Sequence, residues 1–392
     1  MSLASGQDAL QALEDGARSS DSDAMLIMRA GETLLDYRRA GPHPGRLEMM
    51  SCTKSLVALG VGRLLTQRKI TSPDQRVSDF YPEWKQGQKA KITLRMLMNH
   101  TSGLQNVPDT RVEIYPAPNG LKLALAAELS DPPGERFSYN NKAANLLAGI
   151  IERASGLRMD RYLEQELLTP LGVDGSSWNE EGGYDRAGNP FAMAGWVSTA
   201  ADAAKIGQLV LQDGQWKGSQ LIDSRYVREM LSQSQPFTDG CGLLWWRRAA
   251  QVWLHVDAAG LDAFAKAGVA AGPLSKLRAL LVRRFKDGAE VRAALKETLG
   301  PDLASLEADI NARQLLIDNL LVARGSGPVV AYEALGYHGQ YIMVVPQVQL
   351  VAVRQIGPRP TMPENEPWPY DYADFAQRVL TLGRSLDGSL TG

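Results

Sequence analysis

The sequence predicts an α/β chain in which both ends contribute strands to one antiparallel sheet and a largely helical stretch lies between them. Three observations carry this. Residues 24–29 and 33–38, joined by Ala30-Gly31-Glu32, read as a hairpin of two strands. Residues 337–354 alternate like two antiparallel strands about a turn near Pro346-Gln347. From Ser51 to about Leu231 the pattern is mainly helical, interrupted by loops such as Asp131-Pro132-Pro133-Gly134 and Glu181-Gly182-Gly183. Strands at the ends with helices between them fit a layered core.

The remaining elements follow in order. Residues 7–17 form a short amphipathic helix. An extended, mildly apolar run through Met49 and Met50 leads to Ser51, which opens a helix with Leu56, Val57, Leu59, Val61 and Leu64 on a broad buried face. Residues 142–153 make a second strong helix, with Leu146, Leu147, Ile150 and Ile151 inward and Gly156 near its end. Gly240-Cys241-Gly242-Leu243-Leu244-Trp245-Trp246 has strand-like composition. About 90 residues then separate Trp246 from Tyr337. Their stretch 261–323 reads as helical, with Leu274, Leu277 and Leu281, then Leu303, Leu306, Ile310, Ile317 and Leu321, at helical spacing. Gly272-Pro273, Gly288 and Gly300-Pro301 divide it into about four helices. A helix over 372–382 closes the chain.

Bulk properties exclude several classes. A length of 392 residues suffices for one large domain or two ordinary ones, and a net charge of -2 with both signs scattered gives no basic stripe for nucleic acid. No apolar run approaches the ~20 residues of a membrane span. The N-terminus lacks the basic-then-apolar order of a signal peptide, which favours a cytoplasmic protein unless the native start has been trimmed. Two cysteines make no disulfide framework, and four histidines show no metal-ligand spacing, so neither metal nor cofactor is expected.

Ser51 and Lys54 are the first candidates for chemistry. Three positions apart at a helix start, they lie one turn apart on the same face. A hydroxyl is a poor nucleophile until a neighbouring base takes its proton, and burial is one way to make a lysine such a base. The helix N-terminus adds amides suited to an oxyanion. An isolated Ser-x-x-Lys is more often a cap followed by a solvated lysine. Tyr139, in a loop just before the helix at 142–153, is placed to shuttle a proton between Ser51 and a leaving group. Asn141 either caps that helix or hydrogen-bonds a substrate carbonyl. Cys52 reads as a small semi-buried helix residue rather than a thiol nucleophile.

Ser51-Cys52-Thr53-Lys54 followed by Tyr139-Asn140-Asn141 resembles the serine β-lactamase and penicillin-binding protein superfamily in its Tyr-x-Asn branch. That branch holds class C β-lactamases, D-alanyl-D-alanine peptidases, β-lactamase-like esterases and 6-aminohexanoate-dimer hydrolases. Residues 92–104 (Ile-Thr-Leu-Arg-Met-Leu-Met-Asn-His-Thr-Ser-Gly-Leu) resemble a family signature that packs beneath the site. Thr169-Pro170-Leu171-Gly172 and Gly195-Trp196-Val197-Ser198-Thr199-Ala200-Ala201-Asp202 are similar to later landmarks, the second also reading as a capping box. Where β-lactamases carry Lys-Thr-Gly, this chain has Gly336-Tyr337-His338-Gly339-Gln340-Tyr341. With Gly339 as the motif glycine, Tyr337 takes the lysine slot and His338 the threonine slot. A Gly-x-His-Gly-Gln run is similar to that of the aminohexanoate-dimer hydrolases.

The resemblance implies an α/β (α+β) sandwich, its antiparallel sheet flanked by helices on both faces, plus an all-helical subdomain with the site between. Residues 1–60 and 331–392 would form the sheet-containing part, 61–246 the helical subdomain, and 247–330 a helical insertion. That insertion reads either as a lid over the cleft, with leucines that also suit a homodimer surface, or as a bystander covering a sheet edge. Catalysis would fall to Ser51, Lys54 and Tyr139. Asn141, Tyr337, His338 and Gly339 would meet substrate, and the amides of Ser51 and Gln340 would hold the oxyanion. Loss of the motif lysine removes the charge that meets the carboxylate of a β-lactam or peptidoglycan stem, because histidine is largely neutral at pH 7. The expected substrate is therefore a small ester or amide. A true β-lactamase or D-alanyl-D-alanine peptidase, and a penicillin- or peptide-binding protein without turnover, are the alternatives.

Overall fold

The computed structural model describes residues 5–41, 45–313, 322–358, 372, 374–387 and 390. The chain divides into two compact units, residues 1–248 with 330–391, and residues 249–329.

In the first unit, helix α1 (Gly6–Ser19) opens with a capping box between Ser5 and Asp8. Strands β1 (Ala24–Arg29) and β2 (Glu32–Arg38) form the expected hairpin. Helix α2 (Cys52–Thr66) follows Ser51, and helix α3 (Asn141–Ser155) ends on Gly156, whose φ of 80° is the left-handed C-cap that glycine adopts without strain. Helix α4 (Ala200–Leu211) starts at Thr199, which accepts from the Asp202 amide; Asp202 turns to Lys205 and the Gly175 amide, so the predicted capping box is made on one side. Strand β3 (Trp246–Ala249), β4 (Val329–Gly336), β5 (Gln340–Val345) and β6 (Leu350–Gln355) complete the sheet, and helix α5 (Phe375–Leu386) closes the unit.

The sheet order is β2-β1-β6-β5-β4-β3, so the N-terminal hairpin joins the C-terminal strands through the antiparallel pair Ala24↔Gln355 to Arg29↔Leu350. Strand periodicity of two sends alternate residues to opposite faces. Met25, Ile27, Leu350 and Ala352 meet α1 and α5 on one face, while Leu26, Val351 and Val353 join α2, α3 and α4 on the other. Both faces are thus covered by helices, as the sequence predicts. Helix α2 lies inside, with twelve of its fifteen residues buried, its apolar positions from Leu56 to Leu64 in the core.

Two segments differ from expectation. Of residues 240–246, only Trp246 enters a strand; Leu244 has φ 59°, which breaks any extended run. The tract 261–323 is not helical throughout. The second unit does hold four helices, Ala258–Lys266, Ala271–Leu277, Gly288–Leu299 and Asp302–Ala312, among its described residues. Its ends, however, are the antiparallel strands Val252–Val256 and Val322–Ser326. Ala323 lies in the second of these, which is too short and glycine-containing to be read locally. Leu261, Phe264, Leu277, Phe285 and Ile310 anchor this unit's own core. Ile317 and Leu321 lie outside the described residues. No described helix is long and apolar enough to cross a membrane.

Candidate active site

Met50, immediately before α2, has φ 48°, a left-handed conformation that costs a non-glycine residue free energy. Thr53 holds the turn: its hydroxyl donates to the Met50 carbonyl (2.6 Å) and accepts the Trp196 amide (3.1 Å). Ser51 occupies the N-cap position but has helical φ/ψ (-68°, -8°), and its side chain makes no cap hydrogen bond. The hydroxyl serves another purpose. It accepts from Lys54 Nζ at 2.9 Å and from Tyr139 OH at 3.1 Å. Lys54 is 3% exposed, so it is not a solvated lysine behind a helix cap. Its Nζ also donates to the Met193 carbonyl at 2.8 Å and sits 5.0 Å from the Tyr139 ring centre. Cys52 points away from this cluster, donating to the Gln340 carbonyl at 3.5 Å, and burial pushes its thiol pKa far up, which removes it as a nucleophile.

Tyr139 is held by groups the motif does not announce. Its ring lies 4.6 Å from that of His100 and stacks on Trp246 at 6.2 Å. Asn106 Nδ2 donates to the Tyr139 carbonyl (3.2 Å), while its Oδ1 accepts the Asn141 amide (3.4 Å). His100 accepts the Asn140 amide on Nδ1 at 3.2 Å. Burial, with the Lys54 charge adding to it, pushes the His100 pKa down to about 3, so the ring is neutral across the physiological range. His100, within the segment 92–104, thus packs against Tyr139 and the main chain of Asn140. The helix cap proves to be Asn140, which accepts from the Ala143 amide at 2.9 Å, and not Asn141. Asn141 is released to face a cavity.

That cavity, of about 550 Å³, is lined by Ser51 together with Met50, Arg111, Tyr115, Asn141, Met193 and Tyr337. Asp109, Arg111 and Tyr115 build one part of this lining and Met193 with Ala194 another. Tyr115 packs edge-on against Phe191 at 5.5 Å, which ties one cavity wall to the segment that carries Met193.

The third motif is a tight corner between β4 and β5. His338 (φ 67°) and Gly339 (φ 82°) are both left-handed. Tyr337 is exposed and lines the cavity, but His338, Gly339 and Gln340 are not among the lining residues. The His338 ring lies against Tyr337 with centres 3.9 Å apart, and partial burial pushes its pKa down to about 4. The Gln340 side chain is fully buried and binds the main chain of Ile356 through both its amide nitrogen and its oxygen. The glycine that close approach demands is Gly336, where a Cβ would lie 2.4 Å from the Met49 carbonyl. Among the described residues no cluster of metal-ligating side chains occurs.

The Beta-lactamase family model matches residues 15–356. The 6-aminohexanoate-dimer hydrolase of Paenarthrobacter ureafaciens is 28% identical over 238 residues, 56% of this chain and 59% of its own length. Penicillin-binding protein 4* of Bacillus subtilis is 30% identical over 155 residues, 36% of this chain and 32% of its own length. These alignments span about three-fifths or less of the relatives' length. Among solved structures, a Bacillus anthracis protein provisionally named 6-aminohexanoate-dimer hydrolase superposes with a TM-score of 0.65 at 16% identity, covering 96% of this chain and 82% of that one. At that identity the likeness shows the fold. The family model covers most of the chain, and the chain belongs to the beta-lactamase family.

Proposed function

We propose that the protein is a serine hydrolase that acts on an ester or amide through a covalent acyl-Ser51 intermediate. The convergence of Lys54 Nζ and Tyr139 OH on Ser51 Oγ, at 2.9 and 3.1 Å, is the observation that carries this reading. Ser51 Oγ attacks the substrate carbonyl carbon, and its proton passes to the Lys54–Tyr139 pair, whose deprotonated member, a neutral amine or a phenolate, takes it. The tetrahedral oxyanion is held by the Ser51 amide and a main-chain N–H of the β4–β5 corner, where Tyr337 lines the same cavity as Ser51. The C–O or C–N bond then breaks, and the departing alcohol or amine takes the proton back from the pair. Water, deprotonated by the same pair, attacks the acyl ester and frees Ser51. Asn141 and Tyr337 would contact the substrate.

A described lining whose charged members, Asp109 and Arg111, are bound to each other at 3.0 Å favours a substrate without a demanding anionic end. The second reading, a β-lactamase or D-alanyl-D-alanine peptidase, rests on the family and on the penicillin-binding relative.

The test is intact-mass spectrometry after exposure to a phosphonofluoridate and to a penicillin, alongside turnover of p-nitrophenyl esters and nitrocefin. A single adduct on the wild type that is absent from Ser51→Ala, with ester turnover exceeding nitrocefin turnover, is expected. Labelling or turnover that survives in Ser51→Ala overturns the assignment of the nucleophile.

A further inference from the structure

Lys142 is an unexpected residue for its place. It stands in the first turn of α3, where the helix dipole disfavours a positive charge, and its side chain is only 2% exposed. A buried ammonium needs a partner, and Glu113 supplies it, with Oε1 2.8 Å from Lys142 Nζ. The same carboxylate oxygen accepts the Val107 amide at 3.2 Å. One carboxylate therefore closes the segment 107–113 into a loop and ties that loop to α3.

Other contacts hold the flanks. Asn106, just before the loop, bridges the Tyr139 carbonyl and the Asn141 amide. Ile114, just after it, is fully buried with Ala144 of α3 and with Phe191, Met193 and Ala194. Between these flanks Asp109 caps the single turn Thr110–Glu113, accepting the Arg111 amide at 3.0 Å. Pro108, Asp109, Arg111 and Val112 are exposed, so little packing holds the turn itself. Pro108 to Arg111 nonetheless line the Ser51 cavity, opposite no contact of their own with α3, which gives the same lining Asn141, one position before Lys142.

We infer that Lys142 and Glu113 form a positioning pair that sets substrate specificity: they hold residues 108–111 as a preformed wall of the Ser51 cavity, against which a bulky, uncharged part of the ester or amide packs. This rests on the hydrolase reading above. Neither residue lines the cavity, so both act through the wall. A wall fixed before binding spares the substrate the cost of ordering it. That gain is the same in the ground state and the transition state, so it belongs to KM and not to kcat. It also grows with the size of the substrate, since a methyl group fills little of about 550 Å³.

The experiment uses the full chain with Lys142→Met, Glu113→Ala and Glu113→Gln, and follows acid release from three esters. Methyl acetate is the small reference, methyl phenylacetate places an aromatic ring on the acyl side, and phenyl acetate places it on the alcohol side. The wild type should prefer one of the aryl esters. In Lys142→Met and Glu113→Ala the KM of that ester should rise about tenfold, at the low end of what pocket contacts supply, with kcat within about threefold and a much smaller change for methyl acetate. Glu113→Gln keeps an oxygen for Val107 and Lys142, so it should retain more of the preference than Glu113→Ala. A purely structural pair would lower thermal stability and leave the aryl-to-methyl preference of the folded fraction unchanged, which overturns the inference. A fall in kcat at constant KM overturns it as well. Should the single variants fail to fold, Lys142→Met combined with Glu113→Leu carries the test, because apolar replacement of a whole buried ion pair is commonly tolerated. The double variant still leaves the Val107 amide without its acceptor, so the preference should fall, and an unchanged preference overturns the inference. A wild type that hydrolyses none of the esters defeats the hydrolase reading, and this inference with it. An active wild type that shows no aryl preference, or whose variants are indifferent, defeats this inference alone.

Discussion

Protonating His100 should cost the fold a measurable amount, and the cost can be worked from its surroundings. The ring is 2% exposed, its Nδ1 accepts the Asn140 amide, and the Lys54 charge lies nearby. A proton on Nδ1 would set donor against donor and add a second buried cation. The folded pKa is depressed to about 3 from the unfolded 6.5, so the unfolded chain binds the proton first as acid is added. The stabilisation is therefore fully present above pH 6.5 and is lost as pH falls toward 3. Each unit in that window is worth about 1.4 kcal/mol, so pH 5.0 costs about 2 kcal/mol relative to pH 7.5. His100→Asn is the matching perturbation. Asparagine tolerates the φ of 61° at this position and does not titrate. Urea unfolding of wild type and variant at pH 7.5 and 5.0 gives a double difference from which groups common to both, such as His338, cancel. The variant should be the less stable protein at pH 7.5, and its deficit should shrink by about 2 kcal/mol at pH 5.0. A deficit that does not change with pH would show that His100 titrates normally and would refute the buried, neutral ring beneath Tyr139.

Two further outcomes test the site. Lys54→Met and Tyr139→Phe should each lower kcat by orders of magnitude, and the double variant should lose little more than the worse single one, because groups that act as a unit are not additive; steady-state kinetics giving the product of the two single effects would contradict a shared proton path. Gly336→Ala should destabilise the protein by about 1–3 kcal/mol by overpacking, and should cut the rate of Ser51 labelling, since its Cβ would lie 2.4 Å from the Met49 carbonyl that opens the nucleophile turn. Unchanged labelling in a stable variant would show that this approach does not position Ser51.

The reading from sequence was strongest where one local pattern carries the information. Apolar alternation identified the two terminal hairpins, and helical spacing identified α2 and α3, because the faces they bury are set by periodicity alone. The order of Ser51, Lys54, Tyr139 and the glycine corner at 339 was legible for the same reason: each motif fits within a few residues. What the sequence left open depended on groups far apart in the chain. Whether Asn140 or Asn141 caps α3 cannot be told from two adjacent asparagines; in the fold Asn140 takes the Ala143 amide, while Asn106 takes the Asn141 amide. Ser51 is a good cap by residue type, yet the strained turn at Met50, fastened through Thr53 to the Trp196 amide 143 residues away, leaves its hydroxyl to Lys54 and Tyr139. The strand at Val322–Ser326 exists because Val252–Val256 pairs with it, not because its own composition favours extension. The neutrality of His100 comes from desolvation, which a sequence does not display. Arg354 reads as one of two polar residues at the end of an otherwise apolar strand. Only the fold places its guanidinium across the sheet from Ser22 to the Gly339 carbonyl, because both lie in segments that the antiparallel pairing of the two chain ends brings together.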